Sequence, residues 1–404
     1  MSVLKIPEIL LPAKSVDKTK WAVIACDQFT SQPKYWEELE KTCGNVSTLK
    51  ITYPEIYLGD NEDERIKNIN STMLEYLSRG VFESVNGLIL TVRTTAFGHK
   101  RVGIIGAIDL EEYSVDEKRA VRPTEAIVKE RLPIRIKIRK DAPLELPHAL
   151  LLLDDEKKSV IEPVYERRDK LKKLYSFELN MGGGHLEGYL IDDPESVIKL
   201  IDELTSPKAL KEKYGSSEPF AFAVGDGNHS IATAKACWED LKKTLPESER
   251  EYHPSRYCLA EINNIYDEDL IFEPIYRVIF NAGKELIEKM RISLRGDSEI
   301  KVFFGGETFA VKVSENTAQA IKDVQAVIDG YISENPKVYQ DYIHGEDNLL
   351  SVAKEKNGIA VFMPKLKKSD LFSYVATNGV LTRKSFSMGE AQEKRYYFEA
   401  RKIK

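Results

Sequence analysis

The sequence predicts an α/β fold, more fully an α+β arrangement on a mixed sheet, and three observations carry that prediction. An apolar run, Pro219–Val224, ends in Gly225-Asp226-Gly227 and passes into a helical pattern with Ile231, Ala232, Ala234 and Cys237 along it. Tyr257–Ile262 then reads as a further strand, so the order is strand, glycine loop, helix, strand. That order sets the loop at the carboxyl end of a strand, where α/β sheets commonly hold ligands. The chain also has 404 residues, 42% apolar and 31% charged, which describes a globular protein too long for one ordinary core.

The elements follow in chain order. Trp21–Ala25 reads as a short strand ending at Cys26-Asp27-Gln28, with a helix around Tyr35 to Lys41. Gly87–Thr94 and Val102–Leu110 are β-rich and separated by a hairpin turn at Phe97–Lys100. Charges alternate with isoleucine along Ile134–Arg139, the period of a strand with one solvated face. His148–Leu153 reads as a strand closed by Asp154-Asp155. Asp193–Tyr214 is helical in pattern, with Val197, Leu200, Ile201 and Leu204 on its apolar side. Asn228 is placed to cap the helix after the glycine loop. Beyond Ile275, helical patterns at Lys284–Leu294 and Ala318–Ile332 alternate with short strands at Lys301–Phe304 and Ile359–Pro364. This change divides the chain into a catalytic core over 1–275 and a C-terminal α+β region over 276–404 that completes the site.

Composition excludes several classes. The net charge of -6 speaks against nucleic-acid binding, which needs a clustered cationic surface. Four scattered cysteines have neither zinc-ligand spacing nor the density of a disulfide framework, so they read as thiols in a reducing compartment. Cys26 reads as packed core rather than a nucleophile. The N-terminus has no signal-peptide pattern and no apolar run approaches a membrane span. The expectation is a cytoplasmic protein without membrane or nucleic-acid partners, and a homodimer is left open.

Four constellations carry polar chemistry. In Gly225–Ser230, two glycines permit a tight turn and the helix start offers amides to phosphate. Asp226 suits magnesium or a proton, and His229 a phosphate oxygen. The same residues also fit an ordinary glycine turn with an asparagine cap. Arg122-Pro123-Thr124-Glu125 sets a carboxylate beside cations, as a general base requires, but equally fits a helix start capped by Thr124. Met181–Gly188 reads as a mobile hairpin tip. Arg383, Lys384, Ser385, Ser387 and Gly389 form a polar, basic loop that suits an anion, although solvated charge explains each residue singly. Walker, nucleophile-elbow and His-Glu-x-x-His patterns are absent from the sequence.

Four stretches, WAVIACDQFT (21–30), RPTEAIVKERLPIRIKI (122–138), GDGNHSIATAKA (225–236) and SFSMGEAQEKRYYFEAR (385–401), resemble the family of domain of unknown function 1015. Its Asp-Gly-x-His element is similar to that of the ParB and sulfiredoxin-like superfamily, which includes nucleotide-dependent kinases of free serine. The resemblance implies a ParB/sulfiredoxin-like core, ATP or ADP with Mg²⁺ as cofactor, and phosphoryl transfer to L-serine or a similar small alcohol. It implies Glu125, Asp226 and His229 as catalytic residues, with Asp226 on the metal. Gly225, Gly227, Asn228, Ser230, Lys384, Ser387 and Arg395 would bind the nucleotide, and Arg122, Thr124 and Asp27 the substrate. Many relatives carry arginine where this chain has Ser230, so Lys235, Lys384 or Arg395 must supply the missing charge. A phosphate-ester hydrolase and a nucleotide- or nucleic-acid-binding regulator of ParB type are the alternatives.

Overall fold

The structure is a computed structural model that describes residues 2–147 and 149–404; His148, which opened one expected strand, lies outside them. The chain is a mixed α/β protein dividing into two compact units. One holds the described residues up to Pro123 with Ile127–Leu270 and Glu390–Lys404; the other holds Thr124–Ala126 and Ile271–Gly389.

The first unit contains a nine-stranded mixed sheet. From one edge its strands run Lys172–Leu179, Gly184–Leu190, Ile89–Thr94, Lys100–Asp109, Tyr257–Asn264, Leu150–Leu153, Phe222–Asp226 and Val121–Pro123, and Leu4–Lys5 also pairs with Lys100–Asp109. Most neighbours are antiparallel, but Tyr257–Asn264 runs parallel to Leu150–Leu153, and Phe222–Asp226 runs parallel to Val121–Pro123. Successive side chains leave a strand on opposite faces. Accordingly Leu88, Leu90, Ile104 and Ile262 enter one apolar cluster, while Ile89, Ile105 and Leu259 enter another. Helix Asn228–Lys242 contributes Ile231, Ala234 and Trp238 to the first cluster, which fixes its start at the end of strand Phe222–Asp226. The expected hairpin of Ile89–Thr94 and Lys100–Asp109 is present in register.

Three local expectations are corrected. Ile134–Arg139 is no strand but lies in helix Leu132–Lys140, entered through Pro133, whose fixed φ suits a helix start. There Ile134 and Ile138 stand four residues apart and pack together against the core, while Arg135 and Arg139 pair with Glu55 and Glu145. The helical stretch from Asp193 to Tyr214 is two helices, Pro194–Leu204 and Pro207–Tyr214, because Pro207 starts the second with Ser206 as its cap. Around Trp21–Ala25, only Val23–Ile24 is a strand, paired with Tyr396–Tyr397; Trp21 closes a short helix.

The second unit is a six-stranded antiparallel sheet in the order Glu307–Val313, Ser298–Phe304, Ile359–Val361, Phe272–Phe280, Tyr339–His344, with Phe386–Met388 also on Phe272–Phe280. The basic segment read as an anion loop is therefore partly sheet. Ser385 is buried and donates to the Thr382 carbonyl at 2.5 Å, and Ser387 donates to the Gly389 carbonyl at 3.0 Å. Arg277, fully buried, donates to the Gln325 side chain at 2.8 Å and to the carbonyls of Ile275 and Arg383. Burial pulls its pKa down to about 10.

Candidate functional site

Strand Phe222–Asp226 and strand Val121–Pro123 run parallel, so their carboxyl ends share one sheet edge, and Gly225–Ser230 turns there into the helix. Gly227, not Asn228, caps the helix, in the left-handed conformation at φ 81°. A Cβ at Gly227 would stand 2.8 Å from Ala149 Cα, so the glycine answers both to its dihedral and to a backbone pressed against it. Asn228 is the first helical residue, and its side-chain amide donates to the Val224 carbonyl at 3.3 Å. Gly227→Ala is expected to cost about 2 to 5 kcal/mol, the sum of a left-handed L-residue and overpacking against Ala149. Chemical denaturation checks it, and unchanged stability would mean that the loop has room to move.

Asp226 accepts from the Gly227 N–H at 2.8 Å, and its other oxygen lies 3.1 Å from Lys394 Nζ. Lys394 escaped sequence reading, which sought the extra cation among Lys235, Lys384 and Arg395. Its one sequence signal was membership of the matched stretch 385–401. The backbone beneath Lys394 is clamped. Buried Arg93 donates to the carbonyls of Lys394, Glu393, Gln392 and Gly183, and Arg101 also donates to the Glu393 carbonyl. Burial, with Arg101 nearby, brings Arg93 down to about 9. The Glu393 carboxylate meets Thr95 Oγ1 at 3.0 Å and His99 Nδ1 at 2.7 Å. Burial pushes Glu393 up, but the Glu390 N–H, His99 and Thr95 more than offset it and hold it below the usual carboxylate range.

The Met181–Gly188 stretch, expected as a hairpin tip, forms one and meets this clamp. Gly182–Gly184 turns between strands Lys172–Leu179 and Gly184–Leu190, with Gly183 bonded to Arg93. A Cβ at Gly183 would meet Tyr396 Oη at 2.4 Å, and one at Gly184 would meet the Thr94 carbonyl oxygen at 2.0 Å. These glycines serve close packing.

His229 Nε2 accepts the Val128 N–H at 3.0 Å, so any ring proton resides on Nδ1, and only that atom can donate to a ligand while this bond stands. Arg122 is buried, donates to the carbonyls of Arg119 and Pro219, and stacks 4.6 Å over the Phe220 ring. Its planar fork is committed to positioning the strand before the loop. Arg395 is likewise an interior group, bonded to Glu261 at 2.8 Å, Glu399 at 2.7 Å and the Pro147 carbonyl at 2.5 Å. Lys235 pairs with Glu239 at 2.6 Å. Asp27 accepts from the Gln28 side chain at 3.0 Å. The Cys26 thiol touches Tyr397 Oη at 3.1 Å, and burial, aided by Asp27, pushes it up to about 12, so it is no thiolate.

In the second unit, no helix begins at Thr124. Buried Thr124 accepts the Leu381 N–H on its carbonyl at 2.7 Å, and Glu125 bridges to Leu381. Glu125 Oε1 accepts the Lys384 N–H at 3.2 Å. The structure thus brings Glu125 and Lys384 together, and separately Asp226, Gly227 and Lys394.

Magnesium is normally held by one or two carboxylates plus substrate phosphates. Among the described residues no group of three His, Cys, Asp or Glu is placed to hold a metal. One carboxylate, Asp226, fits an ion that arrives with phosphate ligands of its own. No helix among the described residues is long and apolar enough to cross a membrane.

The fold and loop define a mixed α/β protein with a glycine turn at the carboxyl end of strand Phe222–Asp226. The pattern of the family described as "Protein of unknown function (DUF1015)" matches residues 10–355, and the chain belongs to that family. No curated protein matches the sequence. A conserved hypothetical protein from Pyrococcus furiosus is similar at 11% identity and TM-score 0.34, over 72% of this chain and 90% of that one. A mutant free serine kinase in complex with AMP is similar at 12% identity and TM-score 0.39, over 74% and 90%. SbnI with a C-terminal truncation, from Staphylococcus aureus, is similar at 10% identity and TM-score 0.36, over 70% and 81%. Likeness at these scores fixes neither ligand nor reaction for this chain.

Proposed function

We propose that the chain is a nucleotide-dependent phosphotransferase acting on a small hydroxylated metabolite, free L-serine first among them. The observation that carries the reading is the turn itself: a left-handed glycine at a helix start, with Asp226 and Lys394 side by side. Phosphoryl transfer asks the protein mainly for alignment and charge neutralisation. Amides at the start of helix Asn228–Lys242 receive phosphate oxygens. Lys394 neutralises them, and Asp226 holds the magnesium carried by the nucleotide. His229, with its proton on Nδ1, is an orienting donor. The family motifs supply the choice of serine, and Glu125 is proposed as the base.

The test is a ³¹P NMR time course with ATP, Mg²⁺ and L-serine, alongside serine-free and phosphoserine-only samples. A phosphoserine signal growing with ADP is the expected result. Phosphate released from phosphoserine without nucleotide would replace the kinase by a hydrolase, and no change in any sample would remove the enzyme reading.

A further inference from the structure

A cavity of about 170 Å³ lies in the first unit beside the glycine loop. Ser230 and Thr233, from the first turns of helix Asn228–Lys242, line it, as does Ala149, against which Gly227 packs. The pocket is partly open to solvent and its walls are largely apolar, the usual form of a small-molecule site. We infer that it receives the base and ribose of a nucleotide, a purine nucleoside whose 5′-phosphates reach the loop amides; this rests on the phosphate-site reading above.

The wall chemistry selects that class. Ile51, Met73, Ile138 and Leu146 come from four separate segments and give an aliphatic lining. Such a lining suits the faces of a flat heterocycle, because ligand pockets pair apolar walls with few polar groups. Free serine, which has neither a ring nor an alkyl chain, would leave most of that aliphatic wall uncovered. The polar part of the lining includes the Glu55–Arg135 ion pair, whose side chains are 21% and 19% exposed. Its carboxylate can accept from ribose hydroxyls or an exocyclic amine, and its guanidinium can donate to ring nitrogens. Phosphate and nucleoside then occupy the two sides of one helix turn, and the acceptor alcohol is bound elsewhere.

Calorimetry on the full chain tests this with AMP, adenosine, uridine and tripolyphosphate, using wild type, Met73→Trp and Ile138→Trp. AMP is expected to bind wild type more tightly than tripolyphosphate, and adenosine more tightly than uridine. Each tryptophan is expected to weaken AMP by about tenfold or more while tripolyphosphate stays within about twofold. Ligand-free melting identifies a variant that does not fold. Wild type alone gives a second readout. Its melting temperature is expected to rise with adenosine, which carries no phosphate to bind at the loop. Tripolyphosphate binding with no gain for AMP, no rise in melting temperature with adenosine, or full AMP affinity in both folded variants overturns the nucleoside site and leaves the phosphate loop. Binding of neither ligand overturns both.

Discussion

Lys394→Met is expected to lower kcat/KM for nucleotide-dependent phosphorylation by about 10²- to 10³-fold, the range typical of removing one preorganised group aimed at developing charge. Lys394 Nζ already lies 3.1 Å from Asp226, and its side chain is only 13% exposed, so the cation is in place before any ligand arrives. Its main chain is fixed by Arg93 and Arg101 through three carbonyls, those of Gln392, Glu393 and Lys394, so little ordering remains to be done on binding. Methionine keeps much of the stem and removes the charge, so the phosphates would lose one of the cations that neutralise them. Asp226→Asn is expected to lose magnesium-dependent turnover. Because the two groups touch, the double variant should lose less than the product of the single losses. Steady-state kinetics and ADP titration on the three variants measure this. A Lys394→Met enzyme within about threefold of wild type, well short of the loss expected for such a group, would take the lysine out of the reaction. Lys384→Met, run in parallel, asks whether the cation favoured by the sequence does that work instead.

The contrast between these lysines indicates what a sequence can reveal here. The loop was legible because its signal is local: an apolar strand, two glycines and a helical period within about twenty residues, the scale on which turn chemistry operates. The Gly87–Leu110 hairpin was legible for the same reason. Lys394 was not, since its meaning comes from Asp226, 168 positions away, and from Arg93, some 300 positions away. Arg395 was one of the cations named from the sequence, and only its burial against Glu261 and Glu399 reveals it as an interior group. Helix Leu132–Lys140 misled for a physical reason. An isoleucine at every second position satisfies a strand, yet the first and third of them also share one helix face, and Pro133 and the Arg135 and Arg139 ion pairs decided in favour of helix. Period alone is ambiguous in so short a run. The cavity was invisible for the same reason as Lys394, because its aliphatic lining comes from several distant segments that look like ordinary core.

Glu125→Gln is expected to reduce kcat by about 10²- to 10⁴-fold, the usual worth of a positioned general base, with nucleotide affinity unchanged. The substitution is narrow in what it removes. Glutamine keeps the shape and an Oε1 acceptor, so the bond from the Lys384 N–H at 3.2 Å and the backbone bridge to Leu381 can persist. Only the negative charge and its proton-accepting capacity are lost. A carboxylate that merely ties down Lys384 would then tolerate the change, and turnover would stay near normal. A carboxylate that takes the proton of the acceptor hydroxyl would not. Glu125→Asp separates the remaining cases, because it keeps the base but withdraws it by one methylene. Partial activity in Glu125→Asp with none in Glu125→Gln would identify proton transfer. Equal losses in both, with a fall in melting temperature, would identify a structural tie. Glu125→Ala removes charge, bulk and the acceptor for Lys384 at once, and for that reason it answers neither question.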